Sequence, residues 1–549
     1  MSLISRIVAR LAGLPPARTH AVAVERGLRV PMPDGATLLA DHYSPRGGGH
    51  EPIVLIRSPY GRAVFGIFGR IFAERGYQVV VQSVRGTFGS GGEFDAMRNE
   101  ARDGRATLDW LAAQAWFVPN VGMSGPSYLG FVQWAVATGA PPYLKALAAQ
   151  ITASQFRSLT YPGESYALDT GISWTYLLHH QEMPWWRIQW AALRQRRALL
   201  PAFAAVPLAK ADELAVGHRV KFYQDWLAHN TPGEPFWEDI DFSHHLDAVT
   251  APVNLVAGWY DIFLPEQLAD YAALRRAGRP VRLTVGPWMH SSLGVLGAAL
   301  RESLTWFDAY LRDEPPRAPA KPVRIHVMGG GGWRDLAAWP PSATATRWYL
   351  GERRTLGPTP TNGDAPPDGY RYDPANPTPA VGGIVLGAHG GPRDNRRLEA
   401  RPDVLVYTGA PLSADLEVIG PVAAELYVRS SLEHTDFFAR LCDVAPNGRS
   451  VNVCDGLLRL WPGRCAPAAD GTMKIHVDLW PTAYRFTRGH RLRLQVSSGA
   501  HPRFARNLGS GEPLGTAITF RAADQEVYLD AAHPSAVILP VAGATPSAE

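Results

Sequence analysis

The sequence predicts a mixed α/β fold that carries a helical insertion and is followed by an all-β region. Three observations lead there. Apolar β-type runs alternate with helix-period runs from about residue 22 to 150 and again from about 250 to 311. A tryptophan-rich stretch without strand alternation separates the two blocks, and beyond a proline-rich hinge the pattern changes to short strands of alternating polarity. At 549 residues the chain exceeds what one hydrophobic core holds, because domains split beyond roughly 300 residues, so two or three domains are expected.

Residues 52–56 (PIVLI) form an unbroken apolar run of strand length. Residues 63–75 then place Phe65, Phe68, Ile71 and Phe72 at helical spacing, and Gly76 stands where a helix end wants a residue free to take positive φ. A strand over 77–82, a helix over about 105–115, a strand over 120–124 and a helix over about 128–138 continue the alternation. Such spacing implies parallel βαβ units and a sheet covered on both faces. The alternation stops near 150, and residues 151–247 hold six of the 17 tryptophans on segments of helical period, which predicts a helical cap. It resumes with a strand over 252–258, a helix over 265–276 closed by Gly278, a strand over 280–285 and a helix over about 296–311.

Residues 313–322 (DEPPRAPAKP) are a stiff hinge poor in hydrogen-bond donors and make the best domain boundary. Runs at 323–327, 424–428, 474–479 and 491–496 alternate apolar with polar residues, and Asn362-Gly363 and Asn447-Gly448 supply turn signals. That pattern predicts an all-β sandwich or jelly roll. The expected organisation is a catalytic domain over 1–150 and 248–312, a cap over 151–247, the linker 313–322 and a β domain over 323–549.

Composition excludes several classes of function. A chain with 46% hydrophobic and 19% charged residues is not disordered, and a formal charge of +4 is too small to mark a nucleic-acid or anionic-membrane surface without local clustering. The densest basic run, Arg194 to Arg197, reads as a solvated helix face. Cys442, Cys454 and Cys465 show no metal-type spacing and read as buried thiols, with room left for one disulfide. Arg6 and Arg10 interrupt the apolar N-terminus, which reads as a short amphipathic helix rather than a secretory signal. No stretch approaches the ~20 apolar residues of a membrane span, so a cytoplasmic location is the default expectation.

The strongest chemical signal is Gly122-Met-Ser-Gly-Pro-Ser-Tyr-Leu-Gly130 at a strand-to-helix junction. A nucleophile on so sharp a turn needs small neighbours, and Gly125 and Gly130 flank Ser127 accordingly. Alone, the motif is better read as an ordinary glycine-rich turn. Two further strand ends change that reading: Gly258-Trp-Tyr-Asp261 and Gly286-Pro-Trp-Met-His290 put Asp261 and His290 on the same carboxyl edge of a parallel sheet. Separately, Asp261 could cap a helix and His290 could be a loop histidine. Together they follow the serine, acid, histidine order of α/β-hydrolase triads. A tetrahedral intermediate would need two oxyanion donors, for which the backbone N–H of Tyr128 and the hydroxyl of Tyr60, in the loop after 52–56, are the candidates. The pairs His179-His180 and His244-His245 and the run Gly329 to Gly332 are assigned to packing and a turn, so no metal and no cofactor is expected.

With these residues in place the chain resembles the cocaine esterase family, grouped with X-Pro dipeptidyl peptidases, α-amino acid ester hydrolases and glutaryl cephalosporin acylases. The matching stretches are Ser58-Pro-Tyr60, Val84-Arg-Gly86 with Gly92-Glu-Phe94, Gly125 to Gly130, Gly258 to Asp261, Gly286 to His290, Asp443 to Gly448 and Val451 to Gly456. The resemblance implies an α/β-hydrolase fold with a helical cap and a jelly roll, an oxyanion role for Tyr60, and Phe263 as a wall of the acyl pocket. Trp174, Trp185, Trp186 and Trp288 join Phe263 as expected substrate contacts. One departure is visible, since the family's Gln-Asp pair before Val-Arg-Gly is Gln82-Ser83 here. The expected partner is a small-molecule ester, with no nucleic acid and no membrane, and the oligomeric state stays open, a homodimer included. A peptidase or amidase is the nearest alternative function, and an inert carbohydrate-binding protein a remote one.

Overall fold

The computed structural model describes residues 3–312 and 321–542, and its contacts divide the chain into two compact units. Residues 313–320 of the hinge lie outside the described residues. The first unit comprises Met1–Arg157, Leu178–Ile188 and Thr231–Val323. Its strands are β1 (Val22–Pro31), β2 (Thr37–Pro45), β3 (Ile53–Ser58), β4 (Gln78–Ser83), β5 (Val121–Pro126), β6 (Leu144–Gln150), β7 (Val253–Tyr260) and β8 (Val281–Met289), in the spatial order β1-β2-β4-β3-β5-β6-β7-β8. β2 runs antiparallel to both neighbours, and every later pair is parallel. Every residue of β3, β4, β5 and β7 is buried, as a sheet covered on both faces requires.

Helices α1 (Leu3–Leu11), α2 (Arg62–Ala73), α3 (Glu100–Ala112) and α4 (Tyr128–Ala137) follow the expected alternation, with two more over Leu264–Arg276 and Leu293–Leu311. Gly76 and Gly278 close their helices at φ of 80° and 70°, the left-handed conformation expected of them. α3 starts five residues ahead of the spacing-based boundary. The reason is ionic: Glu100 and Asp103 in its first turn are buried against Arg57 and Arg85, so charged residues occupy the inward face that the apolar pattern left blank. β6 escapes the pattern for another reason. Its sequence LKALAAQ is rich in the best helix formers, yet small side chains suit a strand buried between β5 and β7.

The second unit comprises Ser158–Leu177, Gln189–Asn230 and Arg324–Glu549. Its β part is antiparallel apart from a short parallel pair. Leu416–Ser430 pairs with Met473–Phe486, and Thr435–Val444 lies between Ser450–Leu460 and Arg491–Ser497. The runs expected at 424–428, 474–479 and 491–496 are thus parts of real strands, and Gly448, at φ 81°, makes the turn between Thr435–Val444 and Ser450–Leu460. Inward residues such as Leu426, Phe437, Leu441, Val477 and Leu494 form one core. The part of the insertion that groups here is helical and joins the β part by backbone bonds, Ala209 N–H to Gly515 O and Asp169 N–H to Pro502 O, both at 2.9 Å.

The cysteines are unbridged, with Cys442 and Cys454 buried and Cys465 partly so. Burial pushes the Cys442 thiol up to about 12. The run Arg194 to Arg197 sits on the exposed helix Trp185–Ala198. Among the described residues no helix is long and apolar enough to cross a membrane.

Candidate active site

β5 delivers the chain into a sharp turn at Ser127, whose φ of 57° and ψ of −124° are sterically costly for a residue with a side chain. The surroundings hold that conformation. The Ser127 N–H donates to Gln150 O at the end of β6 (2.9 Å), and its carbonyl accepts the N–H groups of Gly130 (2.8 Å) and Phe131 (3.1 Å). A Cβ at Gly125 would collide with Leu129, and one at Gly130 with Thr152, so both positions admit only glycine at this helix–strand spacing.

β7 and β8 run two and four residues further than the apolar pattern indicates, which places Asp261 and His290 directly after them. His290 Nε2 lies 3.1 Å from Ser127 Oγ, and His290 Nδ1 lies 2.8 Å from Asp261 Oδ2. Asp261 is fully buried, and its Oδ1 accepts the Phe263 N–H at 2.9 Å. One carboxylate oxygen is therefore used for fixing the carboxylate and the other for the imidazole. Such a chain can take a proton from the serine and stabilise the imidazolium that results.

Tyr128, the first residue of α4, is held by a buried network that the sequence did not reveal. Its hydroxyl donates to Glu100 Oε1 (2.8 Å) and accepts the Met97 N–H (3.1 Å), while Glu100 Oε2 pairs with Arg57 Nη1 (3.0 Å). Burial raises the Glu100 carboxyl above its usual range, and Arg57 opposes that shift. No local motif signals this set, because its members come from β3, α3 and α4. Tyr60 follows β3, with its N–H donating to Ser58 Oγ at 3.0 Å. The next residue, Gly61, has φ 90° and lies so close beneath Phe88 that a Cβ would come within 2.7 Å of the ring.

Ser83, where the resemblance leads one to expect an acid, accepts Arg62 Nη1 at 2.8 Å, and the carboxylate that pairs with Arg62 comes from Asp41 of β2 at 3.2 Å. A second unforeseen group is Asp270. Fully enclosed, it accepts both the N–H (3.0 Å) and the hydroxyl (2.6 Å) of Ser154. Burial pushes its carboxyl up to about 7, with Ser154 working against the shift and Glu266 and Asp241 adding to it.

The aromatic residues expected to touch substrate occupy different surroundings. Phe263 packs between His290 (centroids 5.6 Å) and Phe156 (6.1 Å). Trp288 folds back over Gly286 onto Ile151, Val256, Val295 and Ala298, so its bulk serves the core. Within the second unit Trp174 stacks on Trp226 at 5.8 Å and 6°. Trp185 and Trp186 stand in solvent, 76% and 51% exposed.

The chain is 32% identical to the cocaine esterase of Rhodococcus sp. (strain MB1 Bresler), over 94% of this chain and 98% of that one. It belongs to the cocaine esterase family. The family model described as X-Pro dipeptidyl-peptidase (S15 family) matches residues 34–292, and the X-Pro dipeptidyl-peptidase C-terminal non-catalytic domain matches residues 318–538. In solved structures, an aminopeptidase from the marine sediment archaeon Thaumarchaeota archaeon aligns with a TM-score of 0.80 at 22% identity, over 96% of this chain and 98% of that one. An α-amino acid ester hydrolase aligns with a TM-score of 0.79 at 23% identity over the same shares. Those two likenesses concern the fold. Membership of the cocaine esterase family makes the chain a serine hydrolase of the mixed α/β type with a C-terminal β region.

Proposed function

We propose that the chain is a carboxylesterase acting on small uncharged acyl esters, with Ser127 as nucleophile, His290 as general base and Asp261 as the group that orients it. The observation that carries this reading is the unbroken chain Asp261–His290–Ser127 at 2.8 and 3.1 Å. Ser127 Oγ attacks the ester carbonyl as His290 Nε2 takes the hydroxyl proton. The oxyanion is met by the Tyr128 N–H and the Tyr60 hydroxyl, and collapse expels the alcohol, which leaves with the proton from His290. Water, deprotonated by His290, then attacks the acyl-enzyme. The acid departs and Ser127 Oγ recovers its proton. The fold reading that accompanies this mechanism is an α/β-hydrolase with a cap over 151–247 and a jelly roll over 323–549.

Ester selectivity rests on the residues after the acid. Ile262, Phe263 and Leu264 are buried and uncharged, and Phe263 packs on the catalytic imidazole. Such a wall gains about 25 cal/mol per Å² of apolar surface covered and penalises an unpaired ammonium. Glu266, the nearest carboxylate in sequence, lies within electrostatic reach of Asp270. The test compares phenylacetyl and phenylglycyl esters of one alcohol, with an X-Pro anilide alongside. The phenylacetyl ester should lead in kcat/KM by at least about tenfold, roughly 1.4 kcal/mol of discrimination. Preference for the phenylglycyl ester or the anilide would move the protein to the aminoacyl or peptidase branch.

A further inference from the structure

The first unit holds a cavity of about 580 Å³ to which none of Ser127, Asp261 and His290 contributes. That size is ordinary for a small-molecule site. Three guanidinium groups and one carboxylate line it: Arg26 of β1, Arg62 and Arg70 of α2, and Asp41 of β2. Asp41 is already engaged, since its Oδ1 accepts Arg62 Nε (3.2 Å) and the Gly27 N–H (3.0 Å). Arg62 is pinned further by Nη1 bonds to Ser83 Oγ (2.8 Å) and Phe88 O (3.1 Å). Arg26 and Arg70 form no ion pair among the described residues. Two positive charges are therefore left facing the cavity.

Tyr43 of β2 also lines the cavity. Its side chain is 5% exposed, yet its hydroxyl has no hydrogen-bond partner among the described residues and opens on the cavity. α2 is shaped around it. A Cβ at Gly66 would lie 2.5 Å from the Tyr43 hydroxyl oxygen, and one at Gly69 would lie 2.8 Å from Cδ2. Glycine inside a helix costs about 1 kcal/mol relative to alanine, so α2 gives up stability at two positions to seat this phenol. Phenylalanine would pack in the same place without a hydroxyl to satisfy. Ile4, Ala63, Ile67 and Phe88 add apolar surface to the lining.

We propose that this cavity binds a small organic anion, a carboxylate or phosphate ester bearing a short apolar group, through Arg26, Arg70 and the Tyr43 hydroxyl. The guanidinium groups match planar or tetrahedral oxyanions in fork geometry, and the phenol adds a neutral donor. The apolar wall sets an aryl or alkyl anion above a bare inorganic one.

The test is a fluorine NMR titration of the full chain with 4-fluorobenzoate, 4-fluorophenyl phosphate and neutral 4-fluorobenzamide, with inorganic phosphate as competitor. Saturable binding of one or both aryl anions is expected, the pair telling a carboxylate site from a phosphate site, with no saturation by the amide and weak competition by inorganic phosphate. Arg26→Gln combined with Arg70→Gln should weaken binding at least tenfold, and Tyr43→Phe severalfold. Thermal unfolding without ligand confirms that each variant is folded. The proposal is overturned if neither anion saturates, if the amide binds as well as the acid, if inorganic phosphate competes on equal terms, or if affinity survives all three substitutions. The last outcome would place the anion elsewhere, the triad included.

Discussion

The ring of Phe263 lies 5.6 Å, centroid to centroid, from the imidazole of His290, while its backbone N–H holds Asp261 Oδ1 at 2.9 Å. One residue thus touches both His290 and Asp261, the base and the acid of the proposed triad. Phe263→Leu keeps the backbone bond and most of the buried volume, at a cost of less than about 1.5 kcal/mol in stability. It removes the flat surface against which the imidazole is aligned, and kcat should fall about tenfold with a melting shift of only a few degrees. Steady-state kinetics beside a melting curve checks it. An unchanged kcat would show that the ring only fills space.

Ser127→Ala should abolish turnover and labelling by a fluorophosphonate while the melting temperature holds, because one oxygen is lost without a sizeable cavity. His290→Ala should match it in turnover. Turnover near the wild-type level in either variant would remove the serine mechanism.

Tyr60→Phe tests the second oxyanion donor. Losing one such donor costs about 10²–10³ in kcat with little change in KM, since the bond forms only as the carbonyl oxygen becomes charged. A change confined to KM would make Tyr60 a binding residue instead.

Asp270 gives a stability prediction with a definite sign. Its folded pKa of about 7 lies above the ordinary 3.8, so between those values the native state holds a proton that the unfolded chain has lost. Its contribution is therefore fully present at low pH, falls as pH rises through that window, and is flat above about 7. Asp270→Asn should remove this part of the pH dependence and gain on the order of 4 kcal/mol over wild type at about pH 8 and little at about pH 4. Urea unfolding of both proteins across that range decides it. Parallel curves would mean that Asp270 does not titrate there.

The convergence of Ser127, Asp261 and His290 was legible because each stands at a strand end marked by small residues, and the chain order of the three is itself informative. Gly76 and Gly278 were legible for a related reason, since a positive φ has few other occupants. What escaped has in common that its partners are distant in sequence. Glu100 and Arg57 look like surface charges until α3 and β3 bring them together, and Asp270 is one polar residue on a helix until Ser154 closes over it. Trp288 shows the converse: expected as a substrate contact, it lies over Gly286 with its indole packed on Ile151, Val256, Val295 and Ala298, a packing that no local pattern announces.

The parallel pairing of β6 with β7, Leu147 to Gln150 against Val253 to Val256, has a consequence in time rather than in space. During synthesis the strand that presents Ser127 is complete long before Asp261 and His290 exist, because roughly a hundred residues lie between β6 and β7 and must be made first. A ring of that size closes against an entropy growing only as the logarithm of its length, yet pairing across it remains slow. Until β7 and then β8 arrive, Gln150 holds the serine from one side alone, with neither Asp261 nor His290 near it. On the proposed mechanism the nascent chain is inert by order of assembly, and Ser127 gains its reactivity only when β8 joins the sheet and brings His290.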